Sequence, residues 1–513
     1  MTIARSAIAL LLVAAGSTAS ADGPEPIAVT EAGTLRGTVE NGEAVFRGIP
    51  YAAPPIAALR WRAPQPAIPW TGTRLAERFG AICVQPARPG PAAQPQSEDC
   101  LFLNVFRPAG NVRGLPVLFW IPGGGFSSGS GSEPDYDGKA LAARGAVVVT
   151  INYRVGRLGF FAHPDLTREN ADGGRLNNYG LMDQIAALEW VKRNIAAFGG
   201  DPAKVTIFGE SAGGASVDAL MVSPAARGLF RAAISESGYG RGTFPRLTTR
   251  SADGDPPAHE VGATLAAKLG MPNATLAELR ALPADRILTA TDLTQDYNLV
   301  IDGVTMTSDI WAAFAHGAEA PVPFMLGTNS YEMGAMASAT QRPWAEAVVP
   351  PARWNALTPF YGSEALRDRL LLSDIIFTSQ TRAIAARHAA NGHPTYVYRF
   401  DVPSGPAGAK LLGASHAGEI PYVFGNLTLG HLAPAQIDTA DRRISSEMMG
   451  FWLNMARTRD PNGAGLPKWP RYRQTLVLHI AKPSTAATPD PLTARLDHLD
   501  GAVNDIFPED KQP

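Results

Sequence analysis

The chemistry-bearing stretch of the chain is Gly209-Glu210-Ser211-Ala212-Gly213. It follows the β-branched and aromatic run Val205-Thr206-Ile207-Phe208 and precedes a helical pattern from Ala215 to Met221. Strand, then G-x-S-x-G, then helix is the order that holds a serine on a sharp turn with its hydroxyl exposed at a sheet edge. Glycine at 209 and 213 removes Cβ atoms where strand and helix crowd the turn, so the serine can hold a strained conformation. A hydroxyl placed this way suits nucleophilic acyl transfer, provided a base takes its proton and N–H groups receive the oxyanion. A glycine-rich turn with an incidental serine reads the same locally, so partners elsewhere decide between the two.

The candidate oxyanion donors follow an apolar run. Val117 to Ile121 reads as a buried strand and ends in Pro122-Gly123-Gly124-Gly125-Phe126. Three successive glycines let backbone N–H groups turn toward one point, although a merely flexible loop would look alike. For the base, nine histidines compete. His416 lies in the glycine-flanked segment Gly413-Ala-Ser-His-Ala-Gly418, and Glu332 follows a strand within Thr328-Asn-Ser-Tyr-Glu-Met-Gly334. The order Ser211, Glu332, His416 is compatible with a Ser–His–acid triad, but spacing alone does not choose these two residues.

The surrounding elements alternate. Ala146 to Tyr153 reads as a second buried strand. Leu181 to Phe198 is the clearest helix, with Leu181, Ile185, Leu188, Val191, Ile195 and Phe198 on one face and Gly199-Gly200 ending it. Further strands are expected at Ala44–Tyr51, Ser97–Phe106, Pro323–Gly327, Tyr396–Val402 and Thr475–Ile480. Strands alternating with helices imply a mostly parallel sheet, hence an α/β fold. The Gly240–Ala290 region reads as helices and insertions above the sheet, a lid or pocket wall. No Pro/Gly/Ser linker divides the chain, so residues 22–513 are expected to form one domain.

The whole chain excludes several functions. Across 513 residues the formal charge is −2, which gives no reason to expect nucleic acid or an anionic membrane as partner. Arg5 precedes an apolar run from Ala7 to Ala15, and Ala19-Ser20-Ala21 offers a cleavage site. That run is too short to span a bilayer, so residues 1–21 read as a secretory signal and the mature chain starts near Asp22, secreted or periplasmic. Cys83 and Cys100, the chain's two cysteines, are then expected to pair, two separate buried thiols being the other reading. No H-e-x-x-H, cysteine–histidine cluster, Rossmann fingerprint or P-loop is present, so neither metal nor cofactor is expected.

Several blocks together resemble the type-B carboxylesterase and cholinesterase family, including its bacterial para-nitrobenzyl-esterase-like members. They are Phe46-Arg-Gly-Ile-Pro-Tyr51, Glu98-Asp-Cys-Leu-Phe-Leu-Asn-Val105, Asn152-Tyr-Arg-Val155, Phe198-Gly-Gly-Asp-Pro202 and Phe208-Gly-Glu-Ser-Ala-Gly-Gly214. The resemblance runs from about Gly33 to Tyr472 and implies an α/β-hydrolase fold with a lid over the active site. It implies Ser211 as nucleophile, Glu332 as acid and His416 as base, with oxyanion N–H donors at Gly124, Gly125 and Ala212. Glu210, Ser237 and Glu419 match supporting positions, and Cys83–Cys100 matches the family's first disulfide. Pro122 stands where relatives often carry histidine or tyrosine, which removes one hydrogen bond behind the glycine loop. Tyr331 precedes the acid where aspartate or asparagine is common, and Met333 intervenes before Gly334. The expected activity is hydrolysis of neutral carboxylic esters, short-acyl or aryl, through an acyl-enzyme. An amidase or thioesterase using the same triad, or a non-catalytic binding protein on the same fold, are the alternatives.

Overall fold

The computed structural model describes residues 25–87, 94–251, 254–291, 299–333, 349, 351–403, 412–428 and 436–503. The expected secretory signal lies outside them.

Eleven strands form the central sheet: β1 (Thr38–Glu40), β2 (Glu43–Pro50), β3 (Phe102–Pro108), β4 (Leu115–Ile121), β5 (Val147–Ile151), β6 (Gly200–Glu210), β7 (Ala232–Glu236), β8 (Phe324–Asn329), β9 (Thr395–Asp401), β10 (Leu476–Ala481) and β11 (Thr485–Pro489). Across the sheet they run β11-β10-β9-β8-β7-β6-β4-β5-β3-β2-β1. From β5 through β4 and β6 to β10, neighbours are parallel. Antiparallel strands finish both edges.

Both faces of the parallel part are covered, which is why its strands read as unbroken apolar runs. On β4, Val117, Phe119 and Ile121 enter one core with helices α1 (Tyr179–Asn194) and α2 (Ala212–Val222). The alternate residues Leu118 and Trp120 enter the opposite core, packed by α4 (Thr439–Thr458). The period of two along a strand divides the molecule into its two main cores.

Helix α1 begins two residues before the expected Leu181, and its last turn tightens into a 3₁₀ segment, Ile195–Phe198, closed by Gly199 at φ 80°. The predicted apolar face is buried throughout. The buried pair Arg154–Asp183, with Nε–Oδ2 2.8 Å and Nη2–Oδ1 2.7 Å, ties the loop after β5 to α1. Helices do occupy the 240–290 region, at Ala258–Lys268, Leu276–Arg280 and Ala284–Thr289, and build a satellite core with Trp61 and Phe161.

Among the helical stretches that escaped the sequence reading are two long ones. Helix α4 is capped reciprocally by Asp438 and Asp441. A long run continues from Glu364–Ser373 through a π-helical turn, Asp374–Thr378, into α3 (Ser379–Ala390). Cys83 and Cys100 are joined by a disulfide. Among the described residues no helix is long and apolar enough to cross a membrane.

Candidate active site

Ser211 sits between the end of β6 and the start of α2 at φ 58°, ψ −122°, a conformation that side chains rarely adopt. The surroundings hold it there. Its N–H donates to Glu236 O at 2.9 Å, and Ala215 N donates to Ser211 O at 2.8 Å. A Cβ at Gly213 would stand 2.1 Å from Ile121 O, so only glycine lets α2 leave the turn this close to β4.

The loop after β4 closes on the same point. Gly124 (φ 114°) and Gly125 (φ 62°) turn it back, and Gly124 O accepts from Ser127 N and Ser128 N, both at 3.1 Å. Among the described residues, the N–H groups of Gly124, Gly125 and Ala212 have no hydrogen-bond acceptor. Behind the loop, the Tyr153 hydroxyl donates to Pro122 O at 2.9 Å. That bond tethers the backbone at the position where the proline side chain offers none.

Glu332 and His416 are brought together. Nδ1 of His416 lies 2.8 Å from Glu332 Oε2, and His416 N donates to Glu332 O at 3.1 Å. The other carboxylate oxygen of Glu332 accepts from Ser237 Oγ at 2.7 Å and from Asn329 N at 2.6 Å. With both oxygens committed, the carboxylate can face the imidazole in only one way. Asn329 also donates through Nδ2 to Ser415 O at 2.8 Å and to Glu419 Oε2, binding the histidine's own loop to the end of β8.

One expected contact is not made. No hydrogen bond joins Ser211 Oγ to His416 among the described residues; Nε2 instead lies 3.2 Å from Glu210 Oε1. Glu210 is buried and next in sequence to the serine, so its charge competes for the same imidazole edge.

Four buried carboxyl groups, Glu210, Glu236, Glu332 and Glu419, converge here, each no more than 3% exposed. Burial pushes Glu210 and Glu236 above the usual carboxylate range and Glu419 up to about 8. Burial disfavours the His416 imidazolium, but the charges of Glu210, Glu332 and Glu419 outweigh it and raise the histidine. Trp452 Nε1 donates to Glu236 Oε1 at 2.8 Å. Glu236, Gly327 and Tyr398 are register neighbours on β7, β8 and β9. A Cβ at Gly327 would lie 2.1 Å from Tyr398 Cε1, so the tyrosine ring crosses the strand over a missing side chain.

Sequence reasoning missed Asn329, Trp452 and Phe377. Phe377, from the π-helical turn, packs its ring 4.7 Å from that of His416, centroid to centroid. Asn329 carried no signal, since its side chain's partners, Ser415 and Glu419, lie 86 and 90 residues away. The other two carried none either: aromatic residues in helical runs read as core. Among the described residues, no three His, Cys, Asp or Glu side chains are arranged to hold a metal ion.

Comparison with known proteins bears on the whole chain. The model of the carboxylesterase family matches residues 24–348 and 362–497. The fumonisin B1 esterase of Sphingopyxis macrogoltabida is 36% identical over 482 residues, covering 89% of this chain and 86% of that protein. The para-nitrobenzyl esterase of Bacillus subtilis (strain 168) is 36% identical over 483 residues, 88% and 94% of the two chains. A solved para-nitrobenzyl esterase structure superposes with a TM-score of 0.79 at 33% identity, covering 93% of this chain and 100% of its own. The crystal structure of carboxylesterase Est55 from Geobacillus stearothermophilus at pH 6.2 gives 0.80 at 34%, over 92% and 99%. At this identity and coverage the α/β-hydrolase fold is shared along the chain, and the chain belongs to the carboxylesterase family, as a carboxylic ester hydrolase.

Proposed function

We propose that the protein is a secreted or periplasmic serine carboxylesterase that hydrolyses neutral short-acyl or aryl esters through an acyl-enzyme. The observation that carries this reading is the His416–Glu332 pair, held at 2.8 Å with Glu332's second oxygen fixed by Ser237 and Asn329, beside a strained serine turn. In the reaction Ser211 Oγ attacks the ester carbonyl while His416 Nε2 takes its proton. Nε2 must therefore turn from Glu210 toward Ser211. The tetrahedral oxyanion is received by the N–H groups of Gly124, Gly125 and Ala212, which have no other acceptor among the described residues. His416 then protonates the leaving alcohol, and water repeats the sequence on the acyl-enzyme. Glu332 holds the Nδ1–H tautomer and stabilises the imidazolium.

The relative named for a para-nitrobenzyl ester supports an uncharged ester with an aromatic alcohol part as substrate class for this chain too. The domain is proposed to be single, running from near Asp22 to the C-terminus. Titration with a serine-directed organophosphate, followed by peptide mapping, tests the nucleophile: one equivalent should abolish hydrolysis and label Ser211. Label on another serine, or full activity after labelling, would refute it. An acyl-length and leaving-group series that includes amides and thioesters then defines the substrate.

A further inference from the structure

The run from Glu364 to Ala390 is helical throughout, but at Asp374–Thr378 it widens into a π-helical turn, with Ser379 N donating to Asp374 O. A π turn carries one more residue than an α turn, so the faces before and after it fall out of phase. The frame around this turn is tight. Asp374 accepts from the Tyr361 hydroxyl at 2.8 Å and from Arg495 Nη2 at 3.0 Å. Ser373 Oγ accepts from Met333 N, the residue after Glu332, at 2.9 Å. Gln380 Nε2 donates to Ile375 O at 3.1 Å, and its Oε1 accepts from Gly240 N and Arg241 N. The irregular turn is thus bolted both to the segment bearing Glu332 and to the loop after Ser237.

What the turn presents is Phe377. Its ring lies 4.7 Å from the His416 ring with 35° between planes, and Tyr239 meets it edge-on at 6.3 Å. The face of a benzene ring carries negative quadrupole density, so it attracts a cation above it and gains nothing comparable from a neutral imidazole. Among the described residues, the charges that act most on the imidazole are the carboxylates of Glu210, Glu332 and Glu419. The turn's own charge, Asp374, is committed to Arg495 and Tyr361.

We propose that Phe377 is a positioning residue for His416: the π-helical turn aims its ring at the imidazole, which it backs on one face and favours in the positively charged form that arises during turnover. The proposal rests on the reading of His416 as the base. A core role alone, with Phe377 filling space among Met333, Leu371 and Ile375, would leave the histidine's titration untouched.

The test compares wild type, Phe377→Leu and Phe377→Tyr, with the His416 ring followed by NMR in histidine-labelled protein and assigned by its loss in His416→Gln. Removing the aromatic face should lower the His416 pKa by about 0.5–1 unit, the range expected of one partly desolvated cation–π contact. The acid limb of kcat/KM should move down with it. The kcat of Phe377→Leu should fall on the order of tenfold while KM stays within about threefold, because the contact matters most in the charged transition state. Phe377→Tyr keeps the ring and should restore all three readouts. A Leu variant that titrates as wild type does, or a Tyr variant as impaired as the Leu one, overturns the proposal. Ester hydrolysis surviving in His416→Gln would overturn the base assignment instead, while the NMR comparison still reports on Phe377.

Discussion

The His416 imidazole lies between two carboxylates: Glu332 Oε2 is 2.8 Å from Nδ1, and Glu210 Oε1 is 3.2 Å from Nε2. Only the first is placed to stay there while the ring serves Ser211. Glu210 is therefore expected to set how strongly the resting histidine holds its second proton.

Removing that charge should lower the His416 pKa, since nearby anions favour the imidazolium. The base works when neutral, so in Glu210→Gln the acid limb of kcat/KM should shift to lower pH, by on the order of one unit. A profile that stays in place, or moves to higher pH, would count against this arrangement.

Ser211→Ala should lower kcat by on the order of 10⁴ or more, His416→Ala by a similar amount, and the double variant by little beyond either, because the groups act as a unit. Additive losses would mean the wrong histidine. Ser211→Gly, freed of a Cβ at φ 58°, should in addition be more stable than wild type by about 1 kcal/mol in chemical denaturation. A glycine variant less stable than wild type would remove the claim of strain.

Glu419 is raised by burial from 4.5 to about 8, with the charges of Glu210 and Glu332 adding to the effect. A carboxyl whose folded pKa exceeds its unfolded one contributes stability below the unfolded value and loses it as pH rises through the folded value. Glu419→Gln should therefore flatten the dependence of unfolding free energy on pH between about 4.5 and 8, with a gain on the order of 1–3 kcal/mol over wild type at the upper end. Parallel curves for the two proteins would rule this out.

Reducing Cys83–Cys100, or replacing both with alanine, should cost about 3 kcal/mol of stability and leave the folded fraction active. Thermal denaturation with thiol counting measures both, and an unchanged melting temperature would be the contrary result.

The loop from Val84 to Asp99 has no aromatic residue, and Arg88 within it lies outside the described residues. Without an aromatic face there to hold a quaternary ammonium, neutral esters should exceed choline esters of equal acyl length by at least roughly tenfold in kcat/KM. The 3,3-dimethylbutyl ester, nearly the same shape as the choline ester but uncharged, is the comparison. Equal or better turnover of the choline ester would reveal a cation site elsewhere.

Legibility followed the range of the interactions. Strands β4, β5 and β6 and helix α1 announced themselves because burial on fixed faces imposes a period on the sequence. The serine turn did so because its glycines answer to local crowding. Glu332 and His416 did not, since nothing within ten residues of either requires its partner; resemblance supplied the pairing. Phe377 was hidden more deeply, because a π turn is one residue of phase inside an ordinary helical pattern. Trp452 and Glu236 sit 216 residues apart and meet only when α4 lies on the sheet. The length of β6 was under-read because its first residues, Gly200-Asp-Pro-Ala-Lys204, form no apolar run and pair irregularly with β4.

The tyrosine ring lying across Gly327 makes two positions on neighbouring strands into one heritable unit. A library that randomises residue 327 alone samples only collisions, since every Cβ meets the ring at 2.1 Å, deep within van der Waals radii. Position 398 must shrink first or at the same time, and doing so would open a void facing Glu236, under the wall that carries Glu332. A side chain at 327 can thus be gained only in a paired step with 398, so larger residues there are reached by double substitution or not at all.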